Sequence, residues 1–234
     1  MNLAAVARAV SVRTLDLEAF ALPQRCPGCG APAGPERLLC GACFERMPAL
    51  SFPLCAHCLV RGREPVGCAR HPSARVWPAV VYDERAALLV HALKYGGRPG
   101  LADALAERLA RALAAAPAAD MVTAVPLHAA RRRERGYNQA WLLAEGLASR
   151  LGVPALADVL ERVRATPAQA RLTPERRRRN LAGAFRVTEP QRYRGRRVLI
   201  VDDVLTTGAT LEACLGTLAE AGARPAGAVL AWAQ

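Results

Sequence analysis

Lysine is almost missing from these 234 residues: of 32 basic side chains, only Lys94 is not arginine. Aromatic residues are scarce too, at 5%, which weakens any case for a platform on which successive nucleic-acid bases stack. No run of 18 residues is both apolar and free of charge, so no membrane-spanning helix is expected. Arg8, Arg13, Asp16 and Glu18 interrupt what would be the apolar stretch of a signal peptide, and the expected location is the cytoplasm. The chain also has no GxxxxGKS/T loop, and its one lysine lies in the unrelated stretch ALKYGG.

What is abundant is unevenly placed. The net charge is +12, and residues 125–197 carry 17 basic against 6 acidic groups, while residues 198–234 carry 1 against 4. A basic span beside an acidic end suits a polyanion such as a phosphate ester, pyrophosphate or nucleic-acid backbone. The alternative is a solvated, arginine-rich surface.

Seven of the eight cysteines fall between Cys26 and Cys68, and Cys214 stands alone. That divides the chain into an amphipathic helix over about 3–20 (domain 1–24), a Cys-, Gly- and Pro-rich module at 25–75, and an α/β region at 76–234. The module has too few large apolar residues for a core and needs a metal or disulfides to fold. Beyond it, strands are expected at Val76–Tyr82, Met121–Pro126, Leu156–Arg162, Val198–Val201 and Ala226–Trp232. Helices are expected at Arg85–Tyr95, Leu101–Ala115, Asn138–Leu151 and Thr210–Ala221, with LHAARRRERG a loop and 163–180 a mobile loop or flap. The alternation implies a mostly parallel sheet flanked by helices.

Cys26, Cys29, Cys40 and Cys43 form two C-x2-C turns, the four-sulfur spacing that tetrahedral Zn2+ prefers; redox or unligated cysteines are the alternative. Cys55, Cys58, Cys68 and His71 repeat the spacing with a nitrogen in fourth place. Here the alternatives are a second zinc or free thiols, with His57 a competing nitrogen that would point away from its neighbouring cysteines. With four protein ligands each, the sites are structural.

The most specific feature is VLIVDDVLTTGAT at 198–210: an apolar strand, Asp202 and Asp203, then Thr206, Thr207, Gly208, Ala209 and Thr210 leading into a helix. Ligands of open parallel sheets bind at the carboxyl ends of strands, and a helix N-terminus offers N–H groups to a phosphate. Carboxylates accept hydrogen bonds only, so the acids suit ribose hydroxyls beside a 5-phosphate. A Walker-B pair, an acidic receiver pocket or a simple helix cap are the rivals.

These thirteen residues resemble the phosphoribosyl pyrophosphate (PRPP) signature of the type I phosphoribosyltransferases. The likeness to the ComF (competence protein F) branch extends over nearly the whole chain: the double zinc ribbon, HALKYGGRP at 91–99, VPLHAARRRERGYNQ at 125–139 with Tyr137 in place of Phe, and RRNLAGAF at 178–185. His71 stands where the branch has a fourth cysteine. The resemblance implies that Asp202 and Asp203 hold the ribose hydroxyls and stabilise an oxocarbenium-like centre, and that Thr206–Thr210 hold the 5′-phosphate. It further implies that 127–131 form the pyrophosphate loop, with Arg131 and Arg135 meeting a leaving group that carries Mg2+, and that 164–179 form the flap. Lys94 is a further anion contact or a surface lysine, and His128 a general base or loop surface. The function implied is a phosphoribosyltransferase acting on an unidentified acceptor in DNA uptake. The alternative is a non-catalytic protein whose ribbons and basic span bind single-stranded DNA or a competence helicase, its PRPP site vestigial.

Overall fold

A computed structural model describes residues 24–33, 38–59, 68–164 and 174–234. The helix expected over 3–20 and residues 165–173 of the expected flap lie outside them.

Local chemistry sets the element ends. A short helix, α1 (Gly41–Glu45), starts where the Cys40 sulfur accepts the Cys43 N–H, and strand β1 (Leu54–Cys55) follows. After β2 (Arg75–Val81), Asp83 caps α2 (Glu84–Tyr95) by accepting the Ala86 N–H at 2.8 Å. Then come α3 (Leu101–Ala112), β3 (Met121–Ala124), α4 (Ala129–Arg135) and α5 (Gln139–Leu151). The rest is β4 (Leu160–Arg162), α6 (Pro174–Leu181), β5 (Phe185–Val187), α7 (Pro190–Tyr193), β6 (Arg197–Leu205), α8 (Ala209–Glu220) and β7 (Arg224–Trp232).

The main sheet has the order β1-β2-β7-β6-β3, with β2, β7, β6 and β3 parallel and β1 antiparallel at one edge. β4 and β5 form a separate antiparallel pair. Strand alternation sends Leu199 and Val201 of β6 toward a core with Leu89, Leu93, Leu105, Leu109, Leu143 and Leu147 of α2, α3 and α5. Val198 and Ile200 face the opposite core, formed with Leu211, Leu215 and Leu218 of α8 and Phe185 of β5. Among the described residues no helix is long and apolar enough to cross a membrane.

The cysteine-rich module is not a separate appendage. Cys43, Phe44 and Met47 belong to the first core, and Leu54, Cys55 and Ala56 to the second, so the two ribbons lie against opposite faces of the sheet. The guanidinium groups of Arg108 and Arg111 lie 5.6 and 4.7 Å from the Phe44 ring centre.

Three expectations need correcting. Within the expected loop at 127–136, Ala129–Arg135 form helix α4, because His128 Nδ1 caps it and Gly136, at φ 78°, ends it in the left-handed region. Residues 174–180 of the expected flap are helical: Leu181 is fully buried and Arg178 is tied into the protein. β6 does not stop at Val201 but runs through both aspartates to Leu205, since Asp202, Val204 and Leu205 all pair with β7.

Candidate functional site

The structure brings the eight predicted ligands together in two tetrads: Cys26, Cys29, Cys40 and Cys43, and Cys55, Cys58, Cys68 and His71. In the first, the Cys29 and Cys40 sulfurs are 3.6 Å apart, close to the edge of about 3.8 Å that a tetrahedron of Zn–S bonds of about 2.3 Å requires. In the second, His71 Nδ1 lies 3.7, 3.3 and 3.6 Å from the sulfurs of Cys55, Cys58 and Cys68. His57 is not a member; its ring stacks on His71 and its Nδ1 pairs with Glu212. Both donor sets suit structural zinc, which would leave no coordination position open for chemistry.

The two aspartates lie at the carboxyl end of β6, and the pleat sends them to opposite faces. Asp202 points to the α8 side and, with Val204–Leu211, lines a small concavity over the turn. Its Oδ1 accepts the Asp203 N–H at 2.8 Å. Burial, together with the neighbouring Asp203 carboxylate, pushes the Asp202 carboxyl up to about 7, against the opposing pull of Lys94.

Asp203 points the other way and is 4% exposed. Lys94 Nζ on α2 lies 2.7 Å from Oδ1, and Gln139 Nε2 on α5 donates to Oδ2 at 2.6 Å. Gln139 Oε1 in turn accepts from Arg135 at 2.9 Å, and Arg135 also donates to the Tyr95 hydroxyl and covers its ring. Lys94 is therefore neither a free anion contact nor a surface lysine but the partner of an acid. Arg135 is held in this chain of contacts, whereas Arg131 is exposed on α4. His128 is the cap of that helix.

In the turn, Thr206 is exposed, Thr207 and Thr210 are half-buried, and Gly208 and Ala209 are buried. No side chain caps α8, so its first N–H groups have no side-chain acceptor. Gly208 sits at φ 73°, and a Cβ there would lie 1.7 Å from the Ala56 carbonyl oxygen of the second ribbon. The glycine is thus required by the ribbon as well as by the turn. Gly208→Ala is expected to lower stability by about 3 kcal/mol, left-handed strain of roughly 1–2 plus displacement of Ala56, read as a lower urea midpoint.

Gln139, Arg178 and Glu212 are neighbours of the site to which the sequence assigned no role. Gln139 closes the stretch VPLHAARRRERGYNQ and Arg178 opens RRNLAGAF, but neither motif names their partners, and Glu212 lies in no quoted motif. Their partners come from remote segments.

Residues 137–234 match the phosphoribosyl transferase domain, and residues 17–70 match the double zinc ribbon domain. The DNA utilization protein YhgH of Salmonella typhi is 36% identical over 192 residues, spanning 80% of this chain and 74% of the relative. The protein of the same name from Escherichia coli (strain K12) is 33% identical over 192 residues, with the same shares covered. Competence protein F of Haemophilus influenzae is 34% identical over 192 residues, spanning 74% of this chain and 80% of that protein. With a double zinc ribbon followed by a phosphoribosyl transferase domain, and with relatives at this identity over most of its length, the chain belongs to the ComF family.

Proposed function

We propose that this chain binds PRPP at the turn after β6 and acts as a phosphoribosyltransferase-family protein in the uptake or use of DNA. The observation that carries the binding reading is the placement of Asp202 at the rim of the concavity made by Thr206–Thr210, beside the uncapped N–H groups of α8. Those N–H groups and the threonine hydroxyls hold the 5′-phosphate, aided by the positive end of the helix dipole. The Asp202 carboxylate accepts from the ribose hydroxyls. Asp203 acts from behind, fixed by Lys94 and Gln139, and adds negative potential where positive charge develops at the sugar as pyrophosphate departs. The chemistry that Mg2+ supplies when the ligand carries it is neutralisation of the pyrophosphate. Arg131 and Arg135 lie on α4, and in this reading they meet the departing pyrophosphate. The DNA setting rests on the names of the relatives, DNA utilization protein and competence protein F.

Calorimetry with PRPP and Mg2+ tests the reading. Asp202→Asn is expected to weaken binding by about 10–100-fold, the worth of a hydrogen bond to a charged acceptor. Because Asp202 must be ionised to accept fully, wild-type affinity rises between pH 6 and 8, and the Asn variant lacks that part of the rise. Equal affinities for the two proteins at pH 8 would reject the assignment. Pyrophosphate release across a panel of nucleobases then decides whether the bound ligand is turned over.

A further inference from the structure

The second ribbon reaches the phosphate turn through contacts that its structural role does not require. Ala56, between two ligands, places its carbonyl oxygen against Gly208, so close that only glycine fits. His57, the next residue, stacks on the ligand His71 with ring centres 4.0 Å apart and pairs through Nδ1 with Glu212 Oε1 at 2.5 Å. Glu212 lies in the first turn of α8, two residues after Thr210, and its N–H donates to Gly208 O at 2.8 Å. From α6, Arg178 donates to Glu212 Oε2 at 3.0 Å and to the His57 carbonyl at 2.7 Å. Two segments remote in sequence, the ribbon and α6, therefore close on one carboxylate of α8, and none of the three side chains is more than 36% exposed.

We propose that Glu212, clasped by His57 and Arg178, is a positioning residue that links the second metal site to the sugar-phosphate turn. The metal holds the Cys55–Cys58 turn in shape, and that turn presents Ala56 to Gly208 and His57 to Glu212. Once the clasp is closed, the backbone at 206–210 is fixed from the ribbon side before any ligand arrives. Arg178 and His57 each take one oxygen of the Glu212 carboxylate, which fixes its orientation at the start of α8. Binding free energies between linked sites are reciprocal: if metal occupancy favours the ligand, the ligand must favour metal retention by the same factor. The inference rests on the proposed sugar-phosphate reading of the turn and adds to it the route by which the ribbon acts.

Zinc release from the zinc-loaded 234-residue protein into a chromogenic chelator tests the coupling, with ribose 5-phosphate as the ligand because it lacks the pyrophosphate that itself binds metal. Saturating ribose 5-phosphate is expected to slow release of one of the two ions at least fivefold, the low end of ordinary coupling between sites. The ion at Cys26–Cys43 serves as an internal control whose release does not change. In Glu212→Ala and in Arg178→Ala the ratio of rates with and without ligand falls toward one; a purely structural role would alter both rates and leave the ratio. Calorimetry of ribose 5-phosphate on the same samples separates the failures. Binding without any change in zinc release would overturn the coupling alone. No binding by the wild-type protein would overturn the coupling together with the ligand assignment, and equal slowing of both ions would show a global effect and reject the clasp.

Discussion

Cys43→Ser removes one zinc ion of two from the protein and costs more stability than any other single change considered for this chain. Cys43 is 3% exposed and belongs to the tetrad with Cys26, Cys29 and Cys40. Structural zinc contributes on the order of 10 kcal/mol to small modules that cannot fold without it, a figure comparable with the whole stability of an ordinary domain. The loss does not stay in the ribbon. Cys43, Phe44 and Met47 share a core with Leu105 and Leu109 of α3, and Arg108 and Arg111 flank the Phe44 ring. Unfolding the ribbon opens that face to water and strips two large apolar side chains of their burial, worth about 1.5–3 kcal/mol each. The expected result is a loss of about 5 kcal/mol or more, or no folded protein at all. Cys58→Ser, at an exposed ligand of the other tetrad, removes the other ion at a smaller cost. Elemental analysis counts the ions, and urea denaturation measures the difference. A Cys43→Ser protein that keeps two ions, or keeps its wild-type midpoint, would contradict the argument.

The contrast between what motif spacing revealed and what it hid follows from sequence distance. A C-x2-C turn is a local device, so the two tetrads are legible as spacings. A continuous apolar run such as VLIV is the mark of a strand buried on both faces, and β6 is such a strand. The acid pair is legible as chemistry, yet its division between two faces needs the strand to continue past Val201, and that is decided by pairing with β7. Helix α6 is hard to see because PERRRRNL has one apolar anchor; it is held by Leu181 and by the reach of Arg178 across to Glu212. His57 looked like a spare metal ligand because its partner lies 155 residues away. The ribbons read as a self-contained module for the same reason: their few apolar residues complete cores whose other members come from the sheet and helices.

Lys94→Met is expected to lower stability by about 2–4 kcal/mol, because it leaves the Asp203 carboxylate buried without its cation. The upper part of the range for a fully buried pair is not reached, since the lysine side chain keeps 21% of its exposure and water screens part of the attraction. Gln139 continues to donate to Oδ2, which keeps the acid oriented but supplies no charge. The double variant Lys94→Met with Asp203→Asn recovers most of the loss, since the buried anion goes with its partner. A second readout lies in the adjacent carboxyl. Asp202 is already raised to about 7, so between the usual carboxylate range near 4 and about 7 it is protonated when folded and ionised when unfolded. The unfolded state then binds fewer protons, and this group's contribution makes stability fall as pH rises through that window. Removing the Lys94 charge takes away a pull that lowers Asp202 and moves its titration higher. Removing the Asp203 charge as well takes away the larger opposing effect, so in the double variant Asp202 titrates below its wild-type value. Following the pH dependence of PRPP affinity through the three proteins gives an order of midpoints: single variant highest, wild type next, double variant lowest. If Lys94→Met leaves both the urea midpoint and the pH midpoint where they were, the lysine is not the counter-charge of the paired acids.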